Sequence, residues 1–397
     1  MSPSRERAGD GFGRSIRVGL AQPGGLEFGG IGRMMLYATR GWAGMPEGPR
    51  WTLIDARGPG SLAWMPLHLL KEIVRLAVLR ASGRLDLLHI NVAGRASTAR
   101  KIVLGEIAHL LGLPTVVHLH DYDYAGDLAR RGPVMRRLVR RLFGRARRVI
   151  VLGERDRRTV VERLGVRPER TIVLHNAVPD PGSPPARAGR PGPVRLLFLG
   201  HLDERKGVPE LLAALARPEL RARPWRLVMA GGGERARFRA EVTAHGLGER
   251  VELPGWLPHE RIYELCREAD IFVLPSHAER QAMSLLEAMA HGLAIVTTPG
   301  GAHLEAVTDG VEALLVPPGD PAALAAALVR LIDAPELRAR LGDAARRRYH
   351  EGFAIERYAR RLAALYAAVL RDPGDAATAT APAADGVTPA DGRPHAS

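Results

Sequence analysis

Twice along this chain, short apolar runs alternate with helical patterns, and the two series are separated by a stretch that can form neither. That stretch, PDPGSPPARAGRPGP at 179–193, is rich in Pro, Gly and Ala, lacks apolar periodicity, and reads as a linker. Before it, apolar runs at 16–21, 51–55, 85–91, 115–120, 149–152 and 171–175 read as strands. Helical patterns at 67–81, 97–111 and 155–164 fall between them. After it, strands are expected at 194–199, 225–230, 251–253, 271–274, 293–297 and 313–316. The helices of this half are expected at 208–216, 236–245, 282–291, 321–332, 335–349 and 354–370. Strands alternating with helices imply parallel sheets, so the chain is expected to be an α/β protein of two similar halves.

A length of 397 residues is enough for two domains, each with its own core. Apolar residues at 46% and charged residues at 25% are ordinary for a soluble enzyme. With Cys266 alone, no intramolecular disulfide can form. MSPSRERAGDGFGRS at the start lacks the apolar core of a secretory signal. No run approaches the roughly 18–20 apolar residues of a membrane span, so a cytoplasmic or peripheral protein is expected. Lys and Arg outnumber Asp and Glu 57 to 43, a net +14 that fits nucleic acid, an anionic membrane or phosphate-bearing substrates. A genome that favours arginine would give the same excess.

Doubly wound sheets bind ligands beyond the C-terminal ends of their strands, so the loops there carry the argument. IFVLPSHAERQAMSLLEAMAHGLAIVTTP at 271–299 reads as strand, loop, helix and strand, with Pro275 and Ser276 stopping the first and Gly292 ending the helix. Its loop holds His277, Glu279, Arg280 and Gln281. Helical spacing puts Ser284, Glu287 and His291 on one stripe and Leu285, Leu286 and Met289 on an apolar face. Glu279 and Glu287, at a strand edge, could be an acid/base pair. GHLDERKG at 200–207 sets Arg205 and Lys206 after a strand, where they suit a diphosphate or simply a solvated turn. AGGGE at 230–234 is a second glycine loop on the same edge.

In the first half, Pro23-Gly24-Gly25 and Gly29-Gly30-Ile31-Gly32 read as a loop opening a helix near Arg33. Its N–H groups can meet an anion, or it is only a tight turn. It is not G-x-G-x-x-G, which gives a dinucleotide little support. His118 and His120 share one face of the fourth strand, and His120 reaches its tip beside Asp121 and Asp123. No spacing here suggests zinc, and no Gly-x-Ser-x-Gly elbow suggests a hydrolase. GPVMRRLVRRLFGRARR at 132–148 puts Val134, Met135, Leu138, Val139, Leu142 and Phe143 on one side of a helix. Arg136, Arg137, Arg140 and Arg141 fill the other, so the helix can meet an anionic membrane while its stripe packs on the sheet. Nucleic acid is not expected as a partner, because no aromatic platform accompanies the arginines.

Taken together, the loop at 29–32, GHLDERKG with Lys206, and Glu279 with seven residues before Glu287 resemble the retaining family-4 glycosyltransferases of GT-B fold. The likeness runs from about 16 to 370 and is strongest over 196–318, including LLEAMAHGLAIVTTPGG and DGVEALLVPPGD. DLLHINVAGRASTARK, HLHDYDY and RRVIVLGERDRRTVVERLGV look like a bacterial subgroup that builds exopolysaccharide or O-antigen units. The resemblance implies two Rossmann-like domains facing each other across a cleft. It places a flexible start at 1–14, the acceptor-side domain at 15–180, the linker at 181–192 and the nucleotide-sugar domain at 193–352. A helix at 353–371 would cross back to the first domain, ahead of a disordered tail at 372–397.

The same resemblance implies a UDP- or GDP-sugar donor, a saccharide or undecaprenyl-linked saccharide acceptor, and no required cofactor or metal. Glu287 would hold the ribose and Glu279 the donor sugar. Lys206, with Arg205 and His201, would neutralise the diphosphate. Ala282, Met283 and Ser284 would offer N–H groups at a helix start. Gly30 and Gly32 would lie under the phosphates, and His120 near the reacting carbon. Asn91, Asp121 and Asn176 would fall on the acceptor side or in the cleft. This scheme demotes the two glutamates from acid and base to donor-binding groups.

Two departures from the family pattern stand out. His201 replaces an arginine, and Arg280-Gln281 replace glycine and a small or aromatic residue. Arg280 is expected to supply phosphate charge that His201 only partly provides. The alternative is a catalytically degenerate GT-B protein that binds nucleotide or polysaccharide as an assembly partner.

Overall fold

A computed structural model describes residues 15–371, apart from 23–28, 46, 56, 59–61, 95, 122, 186, 188–189, 280 and 301–302. The first half forms β1 (Arg17–Gln22), β2 (Arg50–Asp55), β3 (Leu87–Val92), β4 (Thr115–Leu119), β5 (Arg148–Val151) and β6 (Thr171–Val173). They make one parallel sheet in the order β2-β1-β3-β4-β5-β6. Its helices are α1 (Gly29–Ala43), α2 (Met65–Ala81), α3 (Ala96–Leu110), α4 (Tyr124–Ala129), α5 (Pro133–Arg145) and α6 (Glu154–Arg158). β3 and β4 are buried along their whole length, as strands covered on both faces must be. Strand order turns back once, at β1. With right-handed connections, α1 lies on one face and α2, α3 and α5 lie together on the other.

The second half repeats the plan with β7 (Val194–Leu199), β8 (Trp225–Ala230), β9 (Val251–Gly255), β10 (Ile271–Leu274), β11 (Ala294–Thr297) and β12 (Leu314–Leu315). These strands are parallel too, in the order β12-β11-β10-β7-β8-β9. Between and after them come α7 (Val208–Leu215), α8 (Pro218–Arg221), α9 (Arg235–Ala244), α10 (His259–Glu268), α11 (Met283–Ala290) and α12 (His303–Ala306). The chain closes with α13 (Pro321–Asp333), α14 (Pro335–Gly352) and α15 (Ile355–Arg371). The order reverses between β7 and β10. The loops after those two strands therefore diverge and leave a crevice.

α15 returns to the first half and packs along α1. Trp42 donates its indole N–H to the Ala359 carbonyl at 3.1 Å, and its ring meets Tyr366 edge-on. Gly41 permits this approach, since a Cβ there would stand 3.1 Å from that of Ala359. The Pro-rich stretch between the sheets forms no helix or strand among its described residues. It is nonetheless fastened: Arg187 donates to the carbonyls of Ala269, Gly292 and Cys266.

Two expectations are corrected. Gly29–Gly32 is the first turn of α1 rather than a loop ahead of it. Met34, Met35, Ala38 and Trp42 bury at helical spacing, and the helix extends back through glycines whose first-turn N–H groups need no helical partner. Pro23-Gly24-Gly25 lies outside the described residues. No helix was expected between 253 and 271, yet α10 is there. Its apolar positions are few and half of its residues are charged, but Ile262 and Cys266 bury one stripe.

Candidate active site

The loops after β7 and β10 meet at the reversal of the second sheet. Gly207 has φ +70°, and a Cβ on it would overlap the Pro275 carbonyl, so only glycine allows the two loops this close. Asp203 accepts from the Lys206 backbone N–H at 2.9 Å and fixes the turn that carries Arg205 and Lys206. Lys206 Nζ then forms an ion pair with Glu279 Oε1, and Arg205 approaches the same oxygen at 3.2 Å. Arg205 also donates to the Ala278 carbonyl at 3.0 Å. Lys206 and Glu279 expose only about a tenth of their side chains. Burial works against ionisation of Glu279, but the Lys206 charge, helped by Arg205, prevails and holds the carboxyl below its ordinary range.

Behind this pair, burial pushes the His303 imidazole down to about 4. Its neutral Nε2 accepts from the Ala282 N–H at 3.4 Å, just ahead of α11. Ala282 and Met283 are buried and Ser284 is half-buried. The second glycine loop supports the first: a Cβ on Gly231 would overlap the Gly200 carbonyl, and Leu202 bonds to both Gly232 and Glu234. His201 is exposed and turns to Asp203 at 3.3 Å. Arg280 lies outside the described residues.

Glu287, on α11, is buried and faces the other half. Its Oε1 accepts from the Tyr37 hydroxyl at 3.3 Å and pairs with Arg33 at 3.4 Å, both on α1. Its Oε2 has no hydrogen-bond partner among the described residues. Burial, and then the Glu287 charge, raise the Tyr37 phenol well above its usual range, so it remains a donor. His259 flanks the Tyr37 hydroxyl at 3.3 Å. Gln281 makes a second bridge between the halves, accepting from Asn176 N–H at 2.6 Å while its carbonyl accepts from Asn176 Nδ2 at 3.3 Å. Of the predicted glycines, Gly30 is exposed on α1 and Gly32 is buried in it.

The N-terminal residues form a separate cluster along β3 and β4. His120 Nε2 lies 2.9 Å from Asn91 Oδ1, and His89 Nε2 lies 3.2 Å from the same oxygen. An oxygen accepts, so both Nε2 atoms carry hydrogen. His89 Nδ1 is left to accept from the Tyr366 hydroxyl of α15 at 2.8 Å. Asn91 Nδ2 donates to Gln22 Oε1 at 3.3 Å. His118 lies against His120 with ring centroids 3.9 Å apart and the planes tilted by 40°, and neither of its nitrogens finds a partner among the described residues. Burial pushes His89 down to about 4 and also holds His118 well below the usual imidazole range. Asp121 accepts from the Asp123 N–H at 3.0 Å and caps this end of the strand.

α5 buries Val139, Leu142 and Phe143. Arg141 and Arg145 pair with Glu106 at 2.8 and 2.7 Å, Arg140 donates to the Arg163 carbonyl, Arg137 is exposed and Arg136 half-buried. Sequence reasoning passed over Arg33, Tyr37, His259 and His303, and read Gln281 only as a departure. Arg33 and Tyr37 sit four apart on α1, a spacing that puts them on one face. Only the fold shows that this face meets Glu287. Among the described residues, no group of His, Cys, Asp or Glu could hold a metal ion, and no helix is long and apolar enough to cross a membrane.

Comparison with known proteins bears on both halves. The signature of "Glycosyl transferases group 1" matches residues 186–348, and that of "Glycosyl transferase 4-like domain" matches 32–177. A glycogen synthase of Mycobacterium tuberculosis is 35% identical over 187 residues, 47% of this chain and 45% of that protein. The chain thus spans under half the length of that relative. An alpha-D-kanosaminyltransferase of Streptomyces kanamyceticus is 27% identical over 308 residues, 73% of this chain and 77% of the relative. Among solved structures, Anabaena HepE in complex with UDP-glucose superposes with a TM-score of 0.70 at 19% identity. That superposition covers 89% of this chain and all of HepE, a likeness of fold.

Proposed function

From its place among the group 1 glycosyl transferases, the family to which this chain of GT-B fold belongs, we propose that it moves a sugar from a nucleotide-sugar donor to an acceptor with retention of configuration. The acceptor is a saccharide or an undecaprenyl-linked saccharide, and the product serves cell-surface polysaccharide. The observation that carries this reading is the Lys206–Glu279–Arg205 cluster at the reversal of the second sheet. Cleaving a glycosyl–phosphate bond builds positive charge on the sugar and negative charge on the leaving diphosphate. Lys206 and Arg205 stand where they would stabilise the second. Glu279 holds sugar hydroxyls and Glu287 the ribose, whose hydroxyls would bond to the unpartnered Oε2. The leaving phosphate takes the acceptor's proton on the face it departs from, so two carboxylates acting as acid and base are not needed. His120, with its Nε2–H fixed by Asn91, lies beside the reacting carbon. The scheme calls on no metal. HepE, bound to UDP-glucose, supports a nucleotide-sugar as the donor class.

Thermal shift against UDP, GDP, ADP and their sugars tests the reading. One nucleotide should raise the melting temperature, and its sugar should release that nucleotide when acceptor is supplied. No shift with any of them would favour the degenerate protein, for which His201 turned away to Asp203 is the supporting observation.

A further inference from the structure

We propose that the first domain holds an oxyanion site at the start of α3, built by Ser97, Arg100 and Lys101, and that it takes a phosphoryl group carried by the acceptor. Giving that group to the acceptor rests on the transfer reading; the anion site itself does not. Lys101 is fully buried, and its Nζ has no hydrogen-bond partner among the described residues. Neither has Ser97 Oγ nor Arg100 Nε. Three of the fourteen such buried side-chain atoms therefore fall within five residues of one helix. Ser97 stands three positions before Arg100 and four before Lys101, the spacings that share a helix face. All three atoms can donate, so what the cluster lacks is an acceptor of hydrogen bonds.

Charge and placement name the ligand. Burial, and then the Arg100 charge, hold the Lys101 amine down to about 7, while Asp55 at the end of β2 favours its charged form. Burial and the charge of Arg57 act on Arg100 in the same direction, again with Asp55 opposing. Asp55 already accepts from the Arg57 N–H at 2.9 Å. Three cations against Asp55 leave positive charge over, and an anion would answer both the charge and the idle donors. Arg100 Nη1 meets Met65 Sδ at 3.2 Å, so its guanidinium reaches the first residue of α2. α2 follows β2 and α3 follows β3, which puts both starts at the sheet edge that carries Asn91 and His120. Helical side chains lean towards the N-terminus, carrying Lys101 back to the first turn of α3, whose N–H groups favour an anion too. Thr98 fixes that turn by donating to the Ala93 carbonyl at 3.1 Å. A phosphoryl group brings several strong acceptor oxygens to several donors. The donor's diphosphate has its own cations on the other sheet, Lys206 and Arg205, so this phosphoryl group belongs to the second substrate.

The test uses the whole chain and calorimetric titration. Lys206→Met with Glu279→Gln removes the donor-side cation and gives a background in which inorganic phosphate reports on α3. Phosphate should bind that background, and adding either Lys101→Met or Arg100→Gln should weaken it by at least about tenfold. Lys101→Met alone, without phosphate, should melt no lower than wild type, because it removes a buried amine that has no partner. Unaltered phosphate binding in both added variants, or none in the background, would overturn the proposal; if Lys101→Met does not fold, Arg100→Gln decides. Glucose 1-phosphate and geranyl diphosphate separate a phosphorylated saccharide from a lipid-linked one. The probe that Lys101→Met weakens more identifies the source, and no weakening of either would overturn the assignment to the acceptor. Nucleotide-induced thermal shift of wild type keeps the two readings apart: its absence beside phosphate binding that needs Lys101 would remove the transfer reading and leave the anion site standing.

Discussion

The two halves of the candidate site solve different problems with different groups. Around β10 the chain holds charges against charges: Glu279 with Lys206 and Arg205, all at one crevice. Around β3 and β4 it holds imidazoles and an amide, His89, Asn91, His118 and His120, tied by hydrogen bonds and ring contacts. The first suits a ligand that arrives with charge of its own, because a cation already paired can exchange its partner for a phosphate. The second suits a part of the reaction where a fixed charge would be costly and where orientation is the requirement. The contrast also sets the energy scale, since breaking a buried ion pair costs several times more than losing a neutral hydrogen bond.

Removing Lys206 is therefore the harshest way to test the charged half. Lys206→Met leaves Glu279 buried without its nearest counter-charge and should destabilise the chain by about 3 kcal/mol, the low end for a broken buried pair because Arg205 remains. Nucleotide stabilisation should vanish as well. Lys206→Met combined with Glu279→Gln should recover most of the stability and none of the nucleotide binding. Urea denaturation measures the first, thermal shift the second. A single variant as stable as wild type would break the account of Glu279 as an ionised, compensated carboxylate.

Acid should act on both halves before it reaches that carboxylate. His89, His291 and His303 are held down to about 4 by burial, and His118 is lowered in the same way, against 6.5 when unfolded. Groups with depressed folded values bind protons first in the unfolded chain. Their stabilising contribution is complete above pH 6.5 and is lost as pH falls from 6.5 towards 4. Glu279, also depressed, adds its own loss only below about 4.5. The sharpest single test is His118→Phe, which removes a ring with two unpartnered nitrogens. It should flatten the stability profile between pH 6.5 and 4 by close to one proton of slope, read from urea midpoints across that range. An unchanged slope would mean that His118 finds a partner as readily folded as unfolded.

The charged half was legible because its signals are local in sequence. GHLDERKG follows a strand, Glu279 follows another, and parallel strands bring their C-terminal ends to one edge. The neutral half was legible only in outline. Strand alternation put His118 and His120 on one face, and the contact between their rings agrees. Tyr366 lies 277 residues from His89, and no periodicity links them. Arg33 and Tyr37 are 254 and 250 residues from Glu287. Such contacts depend on how α15 and α1 pack, a matter of shape. α10 escaped notice for another reason: a ten-residue helix with two buried apolar positions leaves too little pattern against a charged background. Gln281 shows that a departure from a family motif can still be structural, since it bridges the halves through Asn176.

The gentlest change probes how the neutral half is oriented. Tyr366 belongs to α15, outside the sheet, yet its hydroxyl donates to His89 Nδ1 and so supports the tautomer whose Nε2 donates to Asn91. Asn91 in turn takes the hydrogen of His120 Nε2. Tyr366→Phe keeps the ring packed on Trp42 and removes only the donor. Stability should fall by about 1 kcal/mol, the usual worth of one neutral hydrogen bond. Long-range proton–nitrogen NMR of the histidines should show His89 released from a single tautomer, while His120 keeps its Nε2–H because Asn91 is still anchored through Gln22. If His120 loses its tautomer too, α15 orients the candidate residue directly and the cluster is one cooperative chain. If His89 keeps a single tautomer in the variant, the sheet alone sets the orientation and α15 merely covers it.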